Sequence, residues 1–350
     1  MSKKHLSRLL FVTVVVTMMF ASIMGFSTAP VARAAEPFTI GLSMHFMRDD
    51  YAVCVVSAAE AVAKKYGGKI VATDANADPQ KQLADVENLV AQNVNALIVV
   101  PFDEKAILPG LEKANDKGIP IIAITTIPDA DYIVSTVGGD GDYQNGLATG
   151  QFLVDQLGGK GKIAVIELNF SLWRIDERVR GFEDAIKDTG IEIVARQSGV
   201  AQDEVQNVVQ NILVANPDLD GIWCTFSNQI VGASDALQAA NKSGVVLTGI
   251  DADKAIMARI NEGWVTGSAA QFPEVHGTLA TEAAFQYLMG EKVEKEQAVP
   301  VMMVTKDNLV QAYDLLWAQC APGEVPGLDM SQKKEYTIGL SMHFMRDDYA

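Results

Sequence analysis

The 350-residue chain is poor in the residues that most chemistry requires. It has three cysteines, Cys54, Cys224 and Cys320, with no CxxC pair among them, and four histidines, His5, His45, His276 and His343, that stand isolated. Zinc needs ligands clustered at short spacings, so neither a structural nor a catalytic zinc site is expected. The cysteines exclude a disulfide framework and leave one bridge with an odd thiol open. HExxH, GxSxG and Walker motifs are missing, which removes the signatures of metalloprotease, α/β-hydrolase and phosphate-loop chemistry. Carboxylate pairs occur, but any acidic chain offers them, so they do not by themselves point to glycoside hydrolysis. We expect no enzyme, no cofactor and no metal.

Positive charge is also scarce: 28 Lys and Arg face 44 Asp and Glu, for a formal net charge of −16. A nucleic-acid surface needs basic charge gathered in a stripe or patch, and none is present, so nucleic-acid binding is disfavoured. Four of the basic residues, Lys3, Lys4, Arg8 and Arg33, sit in the first 34 residues, where no acid occurs. Lys3, Lys4 and Arg8 precede a nearly uncharged apolar stretch that runs from Leu9 to about Phe26, and Ala32-Arg33-Ala34 follows ahead of Glu36-Pro37. That order is the signal-peptide order, and it predicts cleavage near Ala34 or Ala35 and export to the periplasm. The competing reading, a membrane anchor, lacks a reason for the small-residue cleavage pattern. Loss of these four positive charges takes the formal charge from −16 to −20.

What remains, roughly 315 residues, exceeds the usual size of one hydrophobic core and predicts two lobes. From Phe38 onward, short β-branched runs alternate with amphipathic helical stretches, the pattern of βα units on a parallel sheet. One series runs from Thr39–Met44 through Ile121–Thr125 and Tyr132–Thr136; a second begins at Lys162–Glu167 and ends at Val265–Ala269. Two sets predict an α/β protein of two doubly wound parallel-sheet lobes, with a ligand between them at the carboxyl ends of the strands. Residues 337–350, TIGLSMHFMRDDYA, repeat residues 39–52 identically after a Pro/Gly-containing stretch, 321–336, that reads as a linker. Identity over fourteen residues indicates duplication, read here as the start of a truncated second copy.

Five segments then carry a specific likeness: IGLSMHFMRDDYAV, ADPQKQLADVENLVAQNVNALIVVP, ERVRGFEDAI, TGID at 248–251 and AAQFPEVHG at 269–277. Together they resemble the periplasmic ribose- and galactose-binding family, whose fold is shared by the effector domains of lactose-repressor-type regulators. The regulator reading lacks its DNA-binding helix-turn-helix, because a signal peptide holds that place. The resemblance implies a hinge of three crossings, near Gly139, Phe272 and Val304. It assigns about 36–139 plus 272–303 to an N-terminal lobe and 140–271 plus 304–320 to a C-terminal lobe. It also implies a monomer that passes a neutral sugar or polyol to an ABC transporter permease, or, as the alternative, presents it to a chemoreceptor or histidine kinase.

Site residues follow by position. Asp49 stands where the family offers a polar group to sugar hydroxyls and Tyr51 where it offers a ring; Asp49 would otherwise only cap the next helix. Where the ribose-binding pattern carries an acid and an arginine, this chain has Thr125 and Thr126, which cannot clamp a sugar edge with charge-assisted bonds. Arg178 holds the RxxGF position, with Arg174 competing because the preceding loop is about two residues short and the register shifts; Trp173 in that loop either stacks on ligand or packs on the lobe. Phe226 replaces an asparagine, and Ser227 or Asn228 could supply the lost polar group. Asp251 and Gln271 match the family in residue and context. Together these changes argue against simple ribose as the ligand.

Overall fold

The computed structural model describes residues 37–127 and 130–329. The expected signal peptide and the repeated segment 337–350 lie outside the described residues.

Strand β1 (Thr39–Met44) leads through Asp49 into helix α1 (Asp50–Lys65), because the Asp49 carboxylate accepts the Ala52 N–H at 2.8 Å and caps the helix. Strand β2 (Lys69–Asp74), helix α2 (Pro79–Ala91), β3 (Ala96–Val99), α3 (Leu108–Asp116), β4 (Ile121–Ile124) and β5 (Ser135–Val137) follow. The Asp78-Pro79 start of α2 is built by the same chemistry, Asp78 accepting from Gln80 N and Lys81 N. Every residue of β3 and β4 is buried, as in parallel strands covered on both faces. Their side chains divide by alternation: Ile98, Ile122 and Ile124 pack toward α1, whereas Leu97, Val99, Ile121 and Ala123 pack toward α2 and α3.

The chain then enters a second sheet. Helix α4 (Gly141–Gln156), β6 (Lys160–Glu167), α5 (Trp173–Ile186), β7 (Gly190–Ser198), α6 (Gln202–Ala215), β8 (Gly221–Cys224), α7 (Ser227–Ala239), β9 (Val246–Ile250), α8 (Lys254–Glu262) and β10 (Gly267–Ala270) repeat the plan. Helix α9 (Pro273–Leu288) and β11 (Glu296–Gln297) return to the first sheet, and β12 (Met302–Thr305) and α10 (Leu309–Leu316) rejoin the second. The sheet orders are β11-β5-β4-β3-β1-β2 and β12-β10-β9-β8-β6-β7, parallel throughout except for β12, which runs antiparallel to β10. In the second sheet, α4 and α5 cover one face and α6, α7, α8 and α10 the other. The α/β fold of two doubly wound lobes is thus the fold found.

Three sequence expectations need correction. The strand expected at Tyr132–Thr136 forms at Ser135–Val137, since Ile133 is spent on the α2–α3 core before pairing begins. The third passage between sheets comes earlier than Val304: Met302 and Met303 already pair with Ala270 and Ala269. The stretch expected to be a linker from 321 is docked over its described part: Ala321 and Val325 are buried in the second lobe, and Tyr313 donates its hydroxyl hydrogen to the Gly323 carbonyl at 2.5 Å.

The closest helix contact positions the site. A Cβ built on Gly146 of α4 would lie 2.0 Å from the Arg178 carbonyl oxygen, and one built on Gly181 of α5 2.1 Å from that of Tyr143. The two backbones touch, which is possible only because both positions lack side chains. The Gly146→Ala and Gly181→Ala variants should each lose about 1–3 kcal/mol by overpacking. Calorimetry should read this as a lowered Tm, whereas Gly67→Ala, with open space around it, should be affected only through its backbone angle.

Candidate functional site

Between the lobes lies a cavity of about 440 Å3 at the carboxyl ends of the strands. Loops after β1, β3 and β4 form one wall and loops after β6, β8 and β9 the other, with Gln271 at the second crossing between them.

Two residues at its centre are held in unusual backbone geometry. Thr125, just past β4, has φ 73°, and Asp251, just past β9, has φ 91°. A β-branched threonine rarely adopts this left-handed region, which aspartate tolerates better, and strain of this kind persists where the surroundings enforce it. The enforcing contacts are the same on both sides: Thr125 N–H donates to Val137 O and Asp251 N–H to Ala269 O, both at 2.9 Å, each reaching the next strand of its own sheet. The Thr125 hydroxyl is buried and has no protein hydrogen-bond partner. Each oxygen of the Asp251 carboxylate accepts one protein bond, Oδ1 from Gln271 Nε2 at 2.5 Å and Oδ2 from Ser227 N–H at 3.0 Å, which fixes the group and leaves acceptor sites for a ligand. Burial raises its pKa above the usual carboxylate value, with the Arg178 charge working against that rise.

Arg178 is almost wholly buried, and two of its N–H groups hold the protein: Nε donates to Asp142 Oδ1 and Nη1 to Thr225 O, each at 2.8 Å. Arg174, one turn earlier, reaches across the cleft, donating from Nη1 to Pro101 O at 2.8 Å while its guanidinium lies 5.9 Å from the Phe102 ring centroid. Asp49 lines the cavity as well as capping α1, and the cap occupies one of its two carboxylate oxygens. Burial pushes its pKa up to about 6. Tyr51 shares a hydrogen bond of 3.2 Å with His276 Nδ1, and its ring centroid lies 6.2 Å from that of His45. Burial holds both histidines neutral, His276 down at about 4 and His45 well below its ordinary value, the latter helped by Arg174 and Arg178. Among the described residues no group of His, Cys, Asp and Glu could hold a metal ion.

The profile of the periplasmic binding protein domain matches residues 40–292. The chain belongs to that family. It is similar to the ribose import binding protein RbsB of Bacillus subtilis, 32% identical over 272 residues that span 77% of this chain and 88% of the relative. Among solved structures, it is similar to an ABC transporter solute binding protein of Bacillus halodurans with bound myo-inositol, at TM-score 0.73 and 26% identity over 79% of this chain and 98% of that one. It is also similar to a periplasmic solute binding protein of Actinobacillus succinogenes with bound D-allose, at TM-score 0.72 and 27% identity over 78% and 99%.

In this binding protein, eight of the residues singled out from sequence line one cavity: Asp49, Tyr51, Thr125, Arg174, Arg178, Phe226, Asp251 and Gln271. Two do not. Thr126 donates its hydroxyl hydrogen to Gly139 O at 2.7 Å, a bond that pins the first crossing instead of facing the cleft. Trp173 opens α5 with 40% of its surface exposed and does not reach the cavity wall. Ser227 and Asn228 both line the cleft beside Phe226. Missed from sequence were Asp142, Asp253, Phe46, Phe102 and Trp317, whose only common property is a position at a strand or helix end that the fold turns inward. Two of the histidines read as isolated, His45 and His276, are brought together through Tyr51.

Because the folded pKa of Asp49 lies above its unfolded value of 3.8, the folded state binds the extra proton between these values, and stability falls as pH rises through about 6. Asp49→Asn keeps a capping side chain and removes the buried charge. It should therefore raise Tm relative to the parent at pH 7.5, and the difference should shrink toward zero between pH 6 and pH 4 in paired melting curves.

Proposed function

We propose that this protein captures a neutral sugar or polyol in the inter-lobe cleft by hinge closure and delivers it to an inner-membrane ABC transporter permease. The observation that carries the reading is the Asp251 carboxylate, fixed by Gln271 and Ser227 and set across the cleft from Asp49 among the rings of Phe46, Phe102 and Phe226. Fixed carboxylates accept hydrogen bonds from adjacent hydroxyls, and rings cover C–H faces, which together suit a polyhydroxylated ring. Arg174 and Gln271 add N–H donors to the cleft wall. Arg178, also in the cavity wall, is oriented by its bonds to Asp142 and Thr225 and keeps further N–H groups for a ligand. Thr125 offers a short neutral hydroxyl where a ribose-type site offers charge, which favours a sugar alcohol or cyclitol over ribose. Membership of a substrate-binding family makes the protein a carrier and not an enzyme, and the family context and the N-terminal export pattern support a periplasmic location. The lobes of one chain enclose the cleft from both sides, so a monomer suffices.

A thermal-shift screen of the mature protein with ribose, D-allose, myo-inositol and linear polyols tests the reading, because a ligand of the folded state raises Tm by mass action. A shift with at least one of them is expected; silence with all of them beside a shift with amino acids sinks it. With the ligand so found, Asp251→Ala should weaken binding by calorimetry at least tenfold, in line with the ~1.5–3 kcal/mol of a hydrogen bond to a charged group.

A further inference from the structure

One residue of the first lobe is bonded into the second. Cys54 lies in α1, yet it is fully buried in the core cluster that α6, α7, α8 and α10 form on the second sheet. It forms a disulfide with Cys320, 266 residues further along, with a Cα–Cα distance of 4.8 Å. Around it the polar contacts also cross between lobes: Lys254 Nζ lies 3.1 Å from Asp50 Oδ2 and donates to Ala321 O at 2.9 Å. The third cysteine, Cys224, is a buried free thiol and does not compete for this bond. An exported protein meets the oxidising surroundings in which such a bridge forms and persists.

The opposite flank is held differently. Arg174 belongs to α5, on the other face of the second sheet from α10, and its partners Pro101 and Phe102 follow β3. Among the described residues that flank is held by the Arg174–Pro101 hydrogen bond and the Arg174–Phe102 cation–π contact, both of which break and re-form thermally, whereas a covalent bridge does not. A hinge of three chain passages would by itself let the lobes bend and twist; a fourth, covalent tie removes the motions that part α1 from α10.

We propose that the Cys54–Cys320 disulfide is a strap that makes the cleft open on one flank only. The lobes swing about a line through the hinge and the strap, and the Arg174–Phe102 side is the gate through which ligand enters and leaves. The strap also fixes a corner of the site. Trp317, three residues before Cys320, lines the cavity and donates from Nε1 to Ala252 O at 2.9 Å, so this wall stays beside the start of α1 when the gate is open. The proposal takes from the functional reading that the cleft is the site and that the protein is exported.

Hydrogen-exchange mass spectrometry of the mature, ligand-free protein tests it without any ligand, so a failed sugar screen leaves the result standing. In the oxidised protein, peptides covering 100–106 and 168–176 should exchange faster than those covering 50–56 and 314–321. In Cys54→Ser/Cys320→Ser, and in the parent after reduction by a phosphine, exchange at 50–56 and 314–321 should rise severalfold while the other pair stays unchanged. Arg174→Ala should do the reverse. Equal exchange at 50–56 and 314–321 with and without the strap overturns the proposal, as does alkylation of three thiols in unfolding buffer without reductant. Should the double variant lose its far-UV circular dichroism signal, the reduced parent decides.

Discussion

Asp142 and Arg178 are nearly withdrawn from water, 6% and 5% exposed, and a buried ion pair is tolerated only when each charge is answered by geometry. Here it is, by the Nε–Oδ1 contact and by the bond from Arg178 to the Thr225 carbonyl at the end of β8. The pair could not form unless α4 and α5 met backbone to backbone, which Gly146 and Gly181 allow. Asp142 stands in the first turn of α4, immediately after the chain leaves the first sheet. The pair therefore ties the exit of the hinge to the floor of the second lobe, and it sets where the positive charge of the cleft resides.

That charge shapes its neighbours. Burial does most to keep His45 neutral, and the two arginines add to it. A neutral His45 and a neutral His276 leave Tyr51 between two uncharged rings. The carboxylates concentrate instead at Asp49, Asp251 and Asp253, where backbone amides and side chains hold them: Ala52 for the first, Ser227 and Gln271 for the second, Ile256 for the third. The cleft thus sets fixed acceptors beside ring faces, and a polyhydroxylated ring with hydrogen-rich faces answers both.

The fold was readable because parallel strands buried on both faces must be continuous apolar runs, and β3, β4, β8 and β9 are. Where a strand is short or pairs late, as at β5, β11 and β12, the run does not announce itself; β11 has only two residues. Cleft residues were legible where they end a strand, as Thr125 and Asp251 do. Direction was not: Thr126 and Trp173 stand one residue from cavity-lining neighbours, and one residue is enough to turn a side chain to the far side of a loop. Pairings across long sequence separations, Asp142 with Arg178, Tyr51 with His276 and Cys54 with Cys320, depend on packing that no local pattern encodes.

Thr125 and Asp251 occupy the fourth strand end of their respective lobes, in the same left-handed turn and with the same amide-to-carbonyl bond to the strand beside them. The protein therefore builds the centre of its cleft twice from one backbone template and differs between the copies only in the side chain it hangs there. Shape and selectivity are separable quantities in such a design. The turn holds its place whatever it presents, so a new ligand preference can be reached by exchanging a hydroxyl for a carboxylate on either copy, with the frame that does the closing left as it is.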